Sequence, residues 1–225
     1  MKKLSIKSIV EFRNRSDRGK KNFVTALKID KAKPDVEAGG DYWVTSLSAI
    51  SNSFKSGDLQ YIIDKRAELT EKYRETDYKR TKDMYKRNMG ILYNYEDYDL
   101  KKWRPSKQIK LLKKNKDNSV LIIKGLEVYA TPHHVFMFRK NNVEELGAIW
   151  FIAKLNGFRK DELGMFADIL YRYLKTHFSK DYILNSKYCI AVDVFNKFEI
   201  NYSQLEKEEI PLILNSTLDE IKKMI

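Results

Sequence analysis

Cysteine is nearly missing from this chain of 225 residues. Cys189 stands alone, so no internal disulfide can form, and with only three histidines beside it the donor set is too poor for a structural zinc site. No apolar run approaches the roughly 20 residues that a membrane span needs. The opening MKKLSIKSIVEFRNR starts with charge but lacks an apolar signal core and a small-residue cleavage site, so it reads as mature sequence. There is no G-x-S-x-G elbow, no P-loop and no dinucleotide glycine fingerprint, which leaves triad catalysis and nucleotide binding without a motif. These absences point to a reducing, cytoplasmic setting and to no membrane partner.

What is present is apolar residues enough for a core, 43% of the chain with 12% aromatic, and a formal net charge of +12. A basic balance attracts polyanions, nucleic acid first among them in a cytoplasm; the competing explanation is lysine used for solubility. Clustering separates the two. The first 33 residues hold eleven basic residues, among them Arg13, Arg15 and Arg18, against Glu11, Asp17 and Asp30. Apolar residues there recur at helical spacing (Ile6, Ile9, Val10, Phe12, then Phe23, Val24, Leu27), which predicts two short helices with Ser5 or Ser8 as N-cap and a turn over 14–19.

Gly39-Gly40-Asp41 marks a loop. Trp43, Leu47, Ile50 and Phe54 then predict a short amphipathic helix in which Tyr42 and Trp43 act as core anchors. From Asp58 to Tyr93 the pattern is a charged helix, or two with a hinge at 77–82. Between 101 and 116 the sequence KKWRPSKQIKLLKKNK carries eight basic residues and no acidic one. Lys107, Lys110, Lys113 and Lys114 fall at helix-like intervals, and with Lys101, Lys102, Trp103 and Arg104, and with Arg13, Arg15 and Arg18 of the first segment, they form the candidate nucleic-acid contact. A patch of this kind reaches about 4–8 phosphates and binds in a strongly salt-dependent way.

From 120 onward the periodicity changes. A strand is expected over 120–130 around Gly125, a second over 135–139, a turn at Lys140-Asn141-Asn142, and a third in AIWFIAK, which is apolar on both faces and so belongs at a sheet centre. Leu163, Phe166, Ile169, Leu170, Tyr173 and Leu174 predict a helix, with Asp161 suited to its N-terminal dipole. A fourth strand follows over 188–195 and a closing helix after Pro211. The fold class expected is α/β of the α+β kind: a helical region over 1–106 packed on a small mixed sheet over 107–225, ordered α-β-β-β-α-β-α, as two parts or one continuous domain.

That order resembles the core of the PD-(D/E)XK nuclease superfamily, particularly its RecB-like and Cas4-like branch. In that family two carboxylates hold magnesium, which activates a water, and a lysine helps to position the water. Residue by residue, Pro132 matches the proline of the motif and Lys154 its lysine. His133 (or His134) stands at the first acid and Ile152 at the second. Histidine is a poor magnesium ligand and isoleucine is none. The resemblance therefore implies a scaffold that has lost its metal, with His133, Lys154, Glu127 and Asp193 as vestigial candidates, no catalytic residue, no metal site and no cofactor. The expected function is nucleic-acid binding without cleavage, as a component of a phage, mobile-element or DNA-processing system. The partner is nucleic acid, DNA ahead of RNA, or a protein. The alternatives are a protein-interaction or scaffold module, and an active magnesium-dependent nuclease whose carboxylates come from other positions. Asp193, an acid inside an apolar strand, must be exposed, paired or hydrogen-bonded, and Cys189 beside it is expected to be buried and inert.

Overall fold

A computed structural model describes residues 2–29, 42–113 and 119–225. Eight α-helices and eight strands lie within them, the strands forming two mixed sheets. The chain is thus mixed α and β, as its patterning predicts. Among the described residues no helix is long and apolar enough to cross a membrane.

The chain opens with a two-residue strand, β1 (Leu4–Ser5), and two helices, α1 (Ile6–Arg13) and α2 (Asp17–Lys28). Ser5 Oγ caps α1 by accepting the Ser8 N–H at 3.1 Å, and Ser16 Oγ caps α2 through Gly19 at 3.3 Å, each satisfying an amide that a helix start leaves without a partner. Helix α3 (Val44–Ser56) ends on Gly57 at φ +80°, a left-handed cap that glycine adopts without strain. Trp43 is buried at its start and packs edge-on to Phe195. The charged stretch is two helices, α4 (Gln60–Glu75) and α5 (Lys79–Tyr93), with their break at 76–78. Asn88 of α5 is buried and bridges back to the start of α3, accepting from Ser46 N and donating to the Tyr42 carbonyl.

The larger sheet runs β2 (Lys110–Leu112), β5 (His134–Lys140), β6 (Val143–Ile152), β7 (Ile183–Asp193) and β8 (Phe198–Asn201), in that spatial order. Only the β6–β7 pair is parallel, joined through α6 (Lys160–Phe178). The β5–β6 turn falls on Asn141 and Asn142, both at positive φ, where the sequence places it. Strand β6 is central and covered on both faces. Ala148 and Trp150 face a core shared with α1, α2, α6 and α8 (Leu214–Met224); Ile149 and Phe151 face a second core shared with α3, α4 and α5. Elements from before and after residue 106 share both cores.

Two expectations are corrected. The stretch 120–130 is not one strand. It folds back at Lys124-Gly125, both at positive φ, into the hairpin β3 (Val120–Ile123) and β4 (Leu126–Tyr129), which with β1 makes a separate three-stranded sheet ordered β1-β4-β3. Two consecutive left-handed residues give the tight turn that matches strand twist, and Gly125 supplies the conformation most readily. Within the stretch Lys107 to Lys114, expected as a helix, Lys110–Leu112 is instead strand β2, antiparallel to β5 with Leu111 opposite Phe136. An open sheet edge offers backbone partners to three residues, whereas a helix of one or two turns in water pays its nucleation cost without them.

Candidate nucleic-acid interface

The basic strip is a segment held at three points. Asp99 Oδ1 accepts the Lys101 N–H at 3.0 Å and starts a 3-10 turn over Leu100–Lys102. Trp103 then turns inward. It is fully buried, packs on Phe151 and Tyr98, and donates its indole N–H to Glu199 Oε2 at 2.8 Å. Tyr98 donates its hydroxyl to the same oxygen at 3.0 Å. Burial first, then the Glu199 charge, pushes the Tyr98 phenol up, which keeps it a donor. Arg104 is the second anchor. Its guanidinium donates to the carbonyls of Phe54 and Lys55 at the end of α3 and to that of Lys107 at 2.7 Å, satisfying acceptors that a helix terminus leaves open. Strand β2, hydrogen-bonded to β5, is the third.

Two of the expected contact residues therefore have other work. Trp103 cannot stack on a base because it is inside the fold, and Arg104 is bound to three backbone carbonyls. Lys101, Lys102, Lys107, Lys110 and Lys113 remain exposed. Lys102 lies over the Tyr98 ring, 5.2 Å from its centre. Lys114 lies outside the described residues. On the surface the strip borders two adjoining hollows that share Ser106 and Lys107. One is lined by Lys101, Arg104 and Tyr188 beside Gly57, the other by Lys110, Met137 and Arg139 beside Glu144. Glu144 is the one carboxylate in either lining, and Arg139 holds it at 3.1 Å.

The other basic cluster sits on the opposite face of the sheet, where α1 and α2 share the core of α6. Arg13 is half-buried and donates to Thr217 Oγ1 at 3.1 Å. Arg15 lies 3.9 Å from Glu11 and over the Phe23 ring. Arg18 is exposed.

The four vestigial candidates stand on or beside different elements of the fold. His133 Nδ1 accepts the Phe151 N–H at 3.2 Å at the start of β5. Glu127 is exposed on β4, in the other sheet, opposite Ile122. Lys154 pairs with Glu162 at 3.3 Å. Asp193, fully buried and across from Ile152, accepts from the Phe158 N–H at 2.8 Å and the Phe195 N–H at 3.1 Å. Its environment raises its pKa, desolvation outweighing those hydrogen bonds. It clasps the loop before α6 to the end of β7. Gly157 makes that approach possible, since a Cβ there would lie 2.4 Å from Asp193 Oδ2. Among the described residues no three histidine, cysteine or carboxylate groups come together as a metal set. Cys189 is fully buried, and burial pushes its thiol up.

Sequence reasoning missed Glu162, a second buried carboxylate at this end of the sheet. It accepts from Asn14 Nδ2 at 2.7 Å and from the Arg159 N–H at 3.0 Å, with Lys154 and the Arg159 guanidinium beside it. Burial alone would raise its pKa; the hydrogen bonds from Asn14 and Arg159 and the two cations hold it below the usual carboxylate range. Its position three residues into α6 was the available signal, because a glutamate there reaches back to the preceding amide as half of a capping box. Glu199, on a four-residue strand, left no such signal. Compared with protein-family models, curated proteins and solved structures, the chain matches none.

Proposed function

We propose that the protein binds nucleic acid through the phosphate backbone, without cleaving it, and that the exposed lysines of the 101–113 strip make the contact. The observation that supports this is the pair of adjoining hollows, bordered by Lys101, Lys107 and Lys110, whose single carboxylate is neutralised by Arg139. Trp103, Arg104 and β2 fix the backbone between those lysines, so little ordering is lost when phosphates are met. Phosphate contacts of this kind position a protein on a duplex without reading its sequence. DNA is the partner proposed, and the β5-β6-α6-β7 core acts as a nuclease-like scaffold without the two metal carboxylates. The test is fluorescence anisotropy with a labelled DNA duplex over a salt series, with and without EDTA, alongside plasmid incubated with magnesium or manganese. Binding that collapses with salt, ignores EDTA and leaves plasmid intact is expected. Salt-insensitive binding, no binding at low salt, or cleavage would overturn the proposal.

A further inference from the structure

The small sheet has an open edge of defined chemistry. The two-residue turn at Lys124-Gly125 makes Ile123 and Leu126 the closing hydrogen-bonded pair of the β3–β4 ladder. At its other end the Ala130 N–H donates to the Ser119 carbonyl at 2.8 Å, in step with the alternation that this turn sets. Ser119, Leu121 and Ile123 therefore spend their backbone groups on β4. Val120 and Ile122 direct theirs away from it, and among the described residues no strand meets them. Ile122 is 69% exposed on the outer face, while Leu121 and Ile123 are buried on the inner one.

A cleft runs along this edge, with the C-terminal half of α6 as its far wall. Lys124, Arg172 and Lys175 line it, with Thr176 and Asn215 and no carboxylate. Arg172 is held by Asp168 through two contacts, at 2.7 and 3.1 Å, and Lys124 meets Asp219 at 3.3 Å. Lys175 is exposed and forms no ion pair among the described residues.

We propose that this edge takes an extended, acidic segment of another protein as a fourth strand. An added strand would satisfy the outward N–H and C=O groups of Val120 and Ile122, the main-chain source of affinity in strand addition. Its side chains would alternate between the outer face, where Ile122 offers apolar surface, and the inner side, where Lys175 stands. The sequence that fits alternates apolar and acidic residues over about four positions, the length of β3. A second copy of this chain fits poorly, because its own β3 reads Val-Leu-Ile-Ile and brings no acid to the lysine.

The experiment uses the full chain and a labelled, end-blocked hexapeptide alternating Glu and Val, read by fluorescence anisotropy. Matched probes are the same peptide N-methylated at alternate residues, a Lys–Val peptide, and an unlabelled deoxythymidine decamer as competitor. The Glu–Val peptide is expected to bind, the N-methylated and Lys–Val peptides to bind at least ten-fold more weakly, and the decamer not to displace it. Lys175→Glu should lose at least ten-fold. Ile122→Pro should do the same by removing an outward amide, with circular dichroism checking that it folds; if it does not, Lys175→Glu and the N-methylated peptide decide. No binding, equal binding of the Lys–Val or N-methylated peptide, displacement by the decamer, or a dimer in sedimentation that Ile122→Pro dissolves would each overturn the proposal.

Discussion

Trp103 Nε1 donates to Glu199 Oε2 at 2.8 Å, tying the start of the basic strip to β8 at one edge of the five-stranded sheet. Seven residues on, from Lys110, the same strip pairs as β2 along the other edge. The lysines between these anchors are displayed from a backbone that the sheet itself fixes.

Replacing Trp103 with Phe should therefore act on stability and not on binding. The ring contacts with Phe151 and Tyr98 survive in part, but Glu199 loses one of its two donors. A lost hydrogen bond to a charged group costs about 1.5–3 kcal/mol, and urea unfolding is the measurement. Affinity for a DNA duplex, measured where the variant is folded, should stay near that of the unchanged protein.

Arg104 and Lys101 should part company in the same way. Arg104→Gln removes donors to three carbonyls and should lower the urea midpoint, while Lys101→Gln, at an exposed position, should stay within about 0.5 kcal/mol of the parent. Equal effects of the two on stability would contradict the anchoring role of Arg104.

Asp193 and Glu162 should give opposite pH dependences. Asp193 has a folded pKa above its unfolded one, so its contribution to stability is fully present below the unfolded value and is lost as pH rises through the raised one. Glu162 has a folded pKa below its unfolded one, so its contribution is present above the unfolded value and is lost as pH falls through the lowered one. Thermal unfolding from acid to neutral pH should show the stability of the parent relative to Asp193→Asn falling as pH rises. Relative to Glu162→Gln it should fall as pH drops.

Gly147→Ala should be among the costly single changes. The register between β6 and β7 shifts between Leu146 and Ala148, and a Cβ at Gly147 would lie 2.7 Å from the Tyr188 carbonyl oxygen and 2.9 Å from Phe136 Cζ. Overpacking against a backbone atom and a buried ring costs about 1–3 kcal/mol, measurable as a lower unfolding midpoint. A neutral substitution would mean that the bulge relaxes freely.

Much of the architecture was legible because it is written in periodicity. The stripe from Leu163 to Leu174 names α6, the doubly apolar AIWFI names the central β6, and Asn141-Asn142 names the turn before it. The rest depends on distant partners. Strand β2 is a strand because β5 has an edge to fill, β1 is two residues long, and β3 and β4 part at a lysine whose left-handed conformation no periodicity announces. The candidate interface divides along the same line. Exposed lysines in a run are visible in the sequence, but Trp103 faces inward toward Glu199, 96 positions away, and Arg104 reaches Phe54, 50 positions back. Neither relationship has a local signature.

The most direct test of the strip as the nucleic-acid contact is the salt slope of duplex binding for three proteins: the parent, Lys101→Glu/Lys107→Glu/Lys110→Glu, and Arg15→Glu/Arg18→Glu/Lys21→Glu on the opposite face of the sheet. Each lost phosphate contact lowers the slope of log affinity against log salt by about 0.9. The strip variant should lose at least ten-fold in affinity and close to three contacts' worth of slope, while the α1–α2 variant stays near the parent. A strip variant that binds like the parent, or an α1–α2 variant that loses as much, would contradict the assignment.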